Sequence, residues 1–410
     1  MLRPGELDLS VAANFDGGFP HDYFKMLRAE VPVCWHPERD GPGHWVITRY
    51  DDLKQASRNP QIFSSWLGGT TVRDMPNIEQ SRALMLNMDP PQHAKYRRLV
   101  QRGFTPRVIQ QLEPHIRELA ASIVDRVARR GECEFVSEVA AELPMQVICE
   151  LMGVPEEDRQ AVYDLSNRLI GADDPDFGQG FSDGIQASIE MFMYASKLSE
   201  RARRSPGTDI ISTLVSADVD GDKLSDLDFN SFFLLLAVAG NETTRTATSQ
   251  GTRLLAEHPD QRERLLRNPA LLPAAVEEIV RYTSPVMYFR RTAMQDTELH
   301  GQPIRAGQKI TMWYPSVNRD EAVFPDGDSF DVGRSPNEHL GFGVGEHFCL
   351  GASLARLELN IAFEELLKRL PDIQIDGPVR LLRSNLIDGI KEMRVRFTPE
   401  GRGATVAVPA

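Results

Sequence analysis

The chain of 410 residues is long enough to bury a sizeable core, and its 41% hydrophobic and 26% charged content is ordinary for a globular protein. A formal net charge of −13 argues against nucleic acid as a partner. The longest apolar run, at 232–240, is far shorter than the ~20 residues that a membrane anchor needs, and the N-terminus carries no targeting segment. The four cysteines form no C-x-x-C pair, which indicates a reducing, cytoplasmic compartment.

Residues 1 to about 60 show a mixed pattern of strand and helix signals. The β-branched and aromatic run at 45–48 predicts a short strand, and a helix is predicted over 51–57. An irregular, glycine-bearing loop follows over 65–77. Its apolar side chains are either packed in the interior or available to a ligand, and the pattern leaves both alternatives open.

Helical periodicity dominates the middle of the chain. An amphipathic helix is predicted over 109–130 and a strongly apolar one over 143–152, and Gly153-Val154-Pro155 ends the second of them. A polar, glycine-rich break at 171–184 predicts a loop. The longest helix is predicted over 224–257.

A basic segment precedes these helices. His93 and Arg97 are four residues apart and share one face of a predicted helix. Residues 91–110 carry five Lys or Arg and no Asp or Glu, which makes a basic island in an acidic protein. Such an island is either a solvated face or a docking face for an acidic partner, and the sequence leaves both open.

The middle of the predicted helix 224–257 is unusual, because an apolar run meets Gly-Asn-Glu-Thr-Thr at 240–244. Glycine and threonine are poor choices inside a helix. The segment is either the junction of two helices or a functional site that brings an acid, Glu242, next to an alcohol, Thr243. An acid-alcohol pair is suited to the delivery of protons.

Glu278 and Arg281 are three residues apart on a helix predicted over 273–282, a spacing that alone indicates an ordinary surface ion pair. A strand over 285–293 and a small hairpin over 298–312 follow. The long irregular segment over 318–337 is of a length that is uncommon without a function.

The most distinctive stretch is Phe-Gly-Val-Gly-Glu-His-Phe-Cys-Leu-Gly at 342–351, followed by an amphipathic helix predicted over 350–370. Its three glycines permit close approach of the backbone to a flat group. A lone cysteine is more often a buried structural thiol. Cys349, however, lies just before a helix N-terminus with His347 beside it, which favours a thiolate and suits a ligand of haem iron.

The stretch at 342–351 resembles the cysteine-ligand loop of the cytochrome P-450 family, with its pattern Phe-x-Gly-x-x-x-Cys-x-Gly and a basic residue two before the cysteine. The three motifs above match that family in order and spacing, so the resemblance extends over about 45–397. It implies a mainly α-helical fold with small β-sheets in one domain over 1–410. Within it we expect a β-rich part at about 1–65, a helical haem-binding part at 66–397 and a tail at 398–410.

The resemblance also implies roles for individual residues. Cys349 would ligate the iron, and Glu242 and Thr243 would manage the protons. Glu278 and Arg281 would form a structural cluster with Arg334 as its third member. The residues expected to contact haem b are His93, Arg97, Ala239, Arg291, Phe342, Gly343, His347, Cys349 and Gly351. The residues expected to contact substrate are Trp66, Leu67, Val72, Val238, Val286, Met287, Leu386 and Ile387.

The implied reaction inserts one oxygen atom of O2 into a C–H bond of a hydrophobic molecule, with electrons from a separate ferredoxin and its reductase. The haem-contacting stretches are most similar to relatives that oxidise sterol side chains, terpenoids or branched fatty chains. A monomer without a membrane anchor is expected. Two alternatives remain, a peroxide-driven peroxygenase and a non-enzymatic haem-based sensor. The acid-alcohol pair argues against the first, and the lack of a visible output module argues against the second.

Overall fold

The computed structural model describes residues 2–75, 78–178, 180–205, 207, 210–216 and 224–401. The end of the predicted loop (76 and 77), one position of the predicted break (179) and most of the predicted tail (402–410) lie outside the described residues. None of the described helices is both long and apolar enough to cross a lipid bilayer.

Helices make up most of the described chain. The α-helices are α1 (His21–Glu30), α2 (Tyr50–Arg58), α3 (Ile78–Ser81), α4 (Gln92–Val100), α5 (Pro106–Gln111), α6 (Glu113–Ala128), α7 (Glu142–Leu151), α8 (Arg159–Ile170), α9 (Phe181–Arg204), α10 (Ile210–Val215), α11 (Asp226–Glu257), α12 (Pro259–Arg267), α13 (Leu272–Thr283), α14 (Tyr314–Val317) and α15 (Ala352–Arg369). One turn of 3-10 helix, Gly345–His347, lies in the cysteine-bearing stretch.

Short strands form small sheets beside the helices. The strands are β1 (Val33–His36), β2 (His44–Ile47), β3 (Phe63–Ser64), β4 (Glu132–Glu134), β5 (Tyr288–Ala293), β6 (Thr297–Leu299), β7 (Gln302–Ile304), β8 (Lys309–Trp313), β9 (Gln374–Ile375), β10 (Arg380–Leu381), β11 (Ile390–Glu392) and β12 (Arg394–Arg396). This mainly α architecture with small sheets confirms the predicted fold class.

The largest sheet joins distant parts of the chain. Its strand order is β1-β2-β8-β5-β3, and β2 runs parallel to β8 with Trp45 opposite Ile310. The N-terminal strands therefore share their sheet with residues 288–313, and the β-rich part extends beyond the predicted limit at about residue 65.

The long helix α11 forms the centre of the helical part. It begins with a capping box, in which Ser225 and Asp228 each accept the other's backbone N–H with a side-chain oxygen. The helix runs without a break through 240–244, so the predicted alternative of two helices is wrong. A Cβ on Gly240 would lie 2.9 Å from the side chain of Ile148 on α7, so glycine is what permits this close packing.

Two predicted elements are divided in the structure. The predicted helix over 109–130 is two helices, α5 and α6, and Pro114 lies in the first turn of α6, where a missing N–H costs nothing. The predicted hairpin over 298–312 ends at β7, and β8 joins the large sheet instead. The helix after the cysteine begins at Ala352, two residues later than predicted.

Candidate functional site

A cavity lies between α11, the start of β5, the N-terminal part of α15 and the cysteine loop, which we define as residues 341–351. The thiol of Cys349 is part of its lining. The backbone N–H of Cys349 donates to the carbonyl of Phe342 (2.9 Å) and closes the loop. Gly345 has a φ of +79°, and a Cβ there would lie 2.7 Å from the carbonyl oxygen of Ser57. Only glycine fits this position without displacing α2.

The electrostatics of Cys349 differ from the simple expectation of a thiolate at a helix end. Burial raises the pKa of the thiol, while the amide of Gly351 and the guanidinium groups of Arg97 and Arg356 lower it. Burial is the larger effect. Because α15 begins only at Ala352, the helix dipole does not outweigh the loss of hydration at the sulfur. A cation bound at the sulfur would favour the deprotonated, thiolate form.

Basic side chains converge on the same loop. The guanidinium of Arg97 donates to the carbonyl of Phe348 (2.6 Å), and that of Arg291, which is buried, donates to the carbonyl of Arg290 (2.8 Å). The ring centroids of His93 and His347 are 4.2 Å apart. Burial, together with the nearby Arg97 and Arg291, lowers the pKa of His93 to about 4.

These groups fit a large anionic cofactor. His93 is only 1% exposed, and neither of its ring nitrogens has a hydrogen-bond partner among the described residues. Unsatisfied buried polar atoms are rare unless a ligand or water meets them. Arg97 and Arg291 both line the cavity, so two permanent cations face one edge of it, and the unpaired imidazole of His93 packs against the lining residue His347. Carboxylates of a haem would satisfy all three groups, with the Cys349 sulfur available to the iron.

The opposite wall is the middle of α11. Ala239, Gly240, Thr243 and Thr244 line the cavity there. The hydroxyl of Thr243 donates to the carbonyl of Ala239, one turn earlier (2.7 Å). The wall therefore consists of small residues, and two of them, Thr243 and Thr244, carry hydroxyl groups.

Glu242 faces away from that wall. It is completely buried and forms an ion pair with Arg245, which also donates to the side chains of Tyr163 (3.2 Å) and Asn167 (2.8 Å) on α8. Burial raises the pKa of Glu242, and the charge of Arg245 opposes this rise. The acid and the alcohol are thus neighbours in sequence but point to opposite sides of α11.

Comparison with known proteins identifies the family. A sequence model of the family "Cytochrome P450" matches residues 179–371. The chain is 43% identical over 399 residues to a steroid C26-monooxygenase of Rhodococcus jostii (strain RHA1), which covers 94% of this chain and 84% of that protein. It is also 43% identical over 387 residues to a methyl-branched lipid omega-hydroxylase of Mycobacterium bovis, covering 92% and 90%. A solved Mycobacterium marinum cytochrome P450 in complex with pseudoionone has a TM-score of 0.90 at 40% identity, covering 97% of this chain and 100% of that chain.

The chain belongs to the cytochrome P450 family. It is therefore an oxidoreductase that incorporates oxygen from O2, and its cofactor is haem b held as a haem-thiolate. The predicted family, enzyme class and cofactor are confirmed.

A buried ionic cluster braces the segment that leads to the cysteine loop in this cytochrome P450. Arg281 donates two hydrogen bonds to the carboxylate of Glu278 (2.7 and 2.8 Å), and both side chains are fully buried. Arg334 adds contacts of 3.1 and 3.2 Å to the same carboxylate. Arg281 also donates to the carbonyls of Asn318 and Gly327. The structure thus brings together all three residues predicted to form this cluster.

Most residues expected to contact haem lie at the cavity. Eight of the nine line it, and His93 packs behind His347. The lining residues are Arg97, Ala239, Arg291, Phe342, Gly343, His347, Cys349 and Gly351.

The residues expected to contact substrate are placed differently. Of the eight, the described lining includes Val286 alone. Trp66 and Leu67 are 37% and 43% exposed, and Val72 is fixed in the N-terminal core with its amide bonded to the Tyr288 hydroxyl (3.1 Å). The remaining four residues, which pack in the core or face away from the cavity, are Val238, Met287, Leu386 and Ile387.

Among the lining residues that were missed from the sequence, one carries an ionisable carboxyl group. Glu358 on α15 is 3% exposed, lines the cavity, and its Oε2 atom has no hydrogen-bond partner among the described residues. Burial raises its pKa to about 8. A signal was present, because Glu358 is four residues after Leu354 and three before Ile361, on the apolar face of the helix. An acid on that face indicates a functional carboxyl.

Proposed function

We propose that this cytochrome P450 hydroxylates a lipid-like molecule such as a steroid side chain, a terpenoid or a methyl-branched fatty chain. The observation that carries the proposal is the apolar wall of the cavity opposite the basic edge. That wall consists of aliphatic and aromatic side chains, namely Leu86, Ile148, Phe232, Leu235, Leu236, Val286 and Phe289. A wall of this kind binds substrate by burial of apolar area and rejects charged groups.

The names of the relatives support this substrate class. One relative is a steroid C26-monooxygenase, another is a methyl-branched lipid omega-hydroxylase, and a solved neighbour holds pseudoionone. All three names describe extended, largely apolar compounds or chains. An apolar wall without a fixed cation orients such a chain by shape alone, and hydrocarbon ends without polar atoms enter it most easily.

In the proposed haem-bound protein, Cys349 ligates the iron, and Arg97, Arg291 and His93 bind the propionates. When bound, haem supplies the iron that activates O2. Thr243 holds a proton at Oγ1 facing the cavity, which requires its hydroxyl to leave the carbonyl of Ala239. Glu242 brings protons inward from the side of Arg245, which requires its carboxyl to turn away from the ion pair.

We further propose that a separate, acidic ferredoxin supplies the electrons. The basic island at 91–110 includes α4, whose Arg97 contacts the carbonyl of Phe348 in the cysteine loop. Phe348 itself is 41% exposed, so the loop reaches the surface beside that island. A positive face next to the sulfur steers an acidic donor to the shortest electron path. On this proposal the enzyme acts as a cytoplasmic monomer.

Turnover assays test the substrate class. Cholestenone, a terpene alcohol and a methyl-branched fatty acid would each be added to haem-loaded protein with O2, a surrogate ferredoxin and its reductase. The proposal predicts a low-to-high-spin Soret shift and a stoichiometric hydroxylated product with at least one of them. Absence of both with all three compounds would contradict it. Product formed with hydrogen peroxide but without donor or O2 would instead favour a peroxygenase.

A further inference from the structure

A three-membered ionic cluster spans the two ends of the cysteine loop. Arg356, on α15 after the loop, donates two hydrogen bonds to the carboxylate of Glu277 on α13, at 2.7 and 2.8 Å. His339, two residues before the loop, contacts the same carboxylate through Nε2 (3.0 Å). One carboxylate therefore fixes a cation that follows the loop and an imidazole that precedes it.

Arg356 is also held against the loop itself. Its guanidinium lies 4.4 Å from the ring centroid of Phe342, in a cation–π contact. The carbonyl of Phe342 accepts the backbone N–H of Cys349 at 2.9 Å. Glu277 thus places the charge of Arg356 on the residue that closes the loop around the sulfur.

The neighbouring glutamate, Glu278, has a different structural role. Glu278 binds Arg281 and Arg334, and it accepts the backbone N–H of Asp331, so it holds the segment before the loop. Glu277 has none of these contacts in the described part of the chain. Two consecutive glutamates on α13 therefore serve separate clusters, and the Glu278 cluster does not account for Glu277.

Both members of the Glu277–Arg356 pair carry charge. Burial opposes ionisation of Glu277, but the hydrogen bonds from Arg356 and His339 outweigh it and lower the pKa of this carboxyl to about 2. The charge of Arg356 in turn favours the thiolate form of Cys349. The side chain of Arg356 is 38% exposed, so water screens part of its field.

We propose that Glu277 and Arg356 are positioning residues that set the electric field at the Cys349 sulfur and thereby the ferric–ferrous equilibrium of the bound haem. The inference rests on ligation of the haem iron by Cys349, and it requires no particular substrate or donor. Reduction adds one electron and no proton to the ferric, thiolate-ligated site, so the site becomes more negative by one charge. A nearby cation stabilises the reduced state, and a nearby anion stabilises the oxidised state.

This account predicts opposite effects for the two partners. Glu277→Gln leaves the cation of Arg356 without its counter-charge, so the ferrous-to-ferric ratio at a fixed potential should rise roughly threefold. Arg356→Gln leaves the anion of Glu277, so the ferrous-to-ferric ratio should fall by a similar factor. Threefold corresponds to about 30 mV for a one-electron couple. The double variant should lie close to wild type, because both charges are gone.

Spectroelectrochemical titration of substrate-free, haem-loaded protein with small mediator dyes measures this equilibrium without any protein donor. The matched control is Glu364→Gln, which removes another interhelical ion pair on α15, with Arg117 at 2.9 Å. It should leave the midpoint unchanged. The shifts of the two single variants should shrink as salt is added, since an exposed charge is screened.

A merely mechanical brace would give a different result. Loosening of the loop would shift the midpoint potentials of both single variants in the same direction. It would also leave the midpoint of the double variant at least as far from wild type, and either outcome overturns the proposal. Arg356→Lys retains the charge but not the paired hydrogen bonds, so its midpoint should stay nearer wild type than that of Arg356→Gln. If the two Arg356 variants shift equally, the charge does not act on the sulfur. A histidine-type spectrum of the wild type would instead refute ligation by Cys349, a separate failure.

Discussion

The hydroxyl of Thr243 donates a 2.7 Å hydrogen bond to the carbonyl of Ala239, and both residues line the cavity. A threonine bonded back to the preceding turn holds its proton inside the helix rather than in the cavity. The bond is a neutral one and contributes about 1 kcal/mol, so a stronger acceptor in the cavity can compete for it. On the proposed function, we therefore expect the Thr243 hydroxyl to be available as a donor to a stronger acceptor in the cavity.

Replacement of that alcohol tests its role in proton delivery. Thr243→Ala should lower the product formed per electron roughly tenfold or more and divert electrons to hydrogen peroxide, because no hydroxyl then guides the proton. The measurement is product and peroxide yield per NADH in the reconstituted system. The matched control is Thr246→Ala, since Thr246 is buried on α11 but does not line the cavity. Equal coupling in both variants would refute the role of Thr243.

The Glu242–Arg245 ion pair is expected to affect the rate of turnover. Glu242→Gln removes the acid that precedes Thr243 in the sequence, so turnover should fall roughly a hundredfold and its solvent isotope effect should increase. It also leaves the buried Arg245 without its counter-charge, and the unfolding free energy should drop by about 3 kcal/mol. Asn167→Ala removes an Arg245 contact (2.8 Å) while keeping the acid, so it should destabilise the protein without the change in isotope effect. Unchanged turnover in Glu242→Gln would contradict the proposed relay.

The ionic cluster around Glu278 predicts a loss of haem binding. Arg281→Ala removes a fully buried partner and leaves the carboxylate of Glu278 under-compensated, at a cost of about 3 kcal/mol or more. Arg334 is more accessible and bonds more weakly, so Arg334→Ala should cost less. Haem retention and the unfolding midpoint of purified variants measure both effects. Equal stability of Arg281→Ala and wild type would contradict the bracing role.

Glu358 predicts a dependence of stability on pH. Its pKa is raised from 4.5 to about 8, so between these values the folded protein holds a proton that the unfolded chain releases. Stability therefore falls as pH rises through this window, and the penalty is complete above about pH 8. Glu358→Gln should be more stable than wild type by about 5 kcal/mol at the alkaline end, with little difference near pH 5.

Thermal unfolding of the haem-loaded variant across this range gives the measurement. Glu364→Gln is the control, because Glu364 lies on the same helix but pairs with Arg117 near the surface. A difference between Glu358→Gln and wild type that does not grow with pH would show that Glu358 is not the group that keeps its proton.

The sequence was most informative where chemistry is local. The glycines at 343 and 345 have φ of +72° and +79°, and their residue type was the signal for this left-handed backbone. The acid-alcohol pair was visible because it interrupts an apolar run in the sequence. Arg334 could be placed beside Glu278 only through the family pattern, since 56 positions separate them. Cys349 was predicted both from its local sequence and from the family pattern.

Contacts between distant segments were the part that the sequence did not reveal. Val72 and Met287 are apolar and were therefore expected to contact substrate. Side chains of Tyr288, Lys309 and Arg290 instead form hydrogen bonds with the backbone of Val72 and hold it in the N-terminal core. Hydrophobicity alone does not distinguish a core position from a cavity wall. Glu277 was overlooked for a similar reason, because its partners at 339 and 356 are brought to it only by the folded cysteine loop.

The carbon monoxide difference spectrum of the reduced protein tests the central claim, that Cys349 ligates the haem iron. Wild type should give the strongly red-shifted Soret band of a thiolate ligand, and Cys349→Ser should lose that band while Cys149→Ser, at a buried cysteine on α7 that does not line the cavity, keeps it. A wild-type spectrum of the histidine type, or a red-shifted band that persists in Cys349→Ser, would contradict the account.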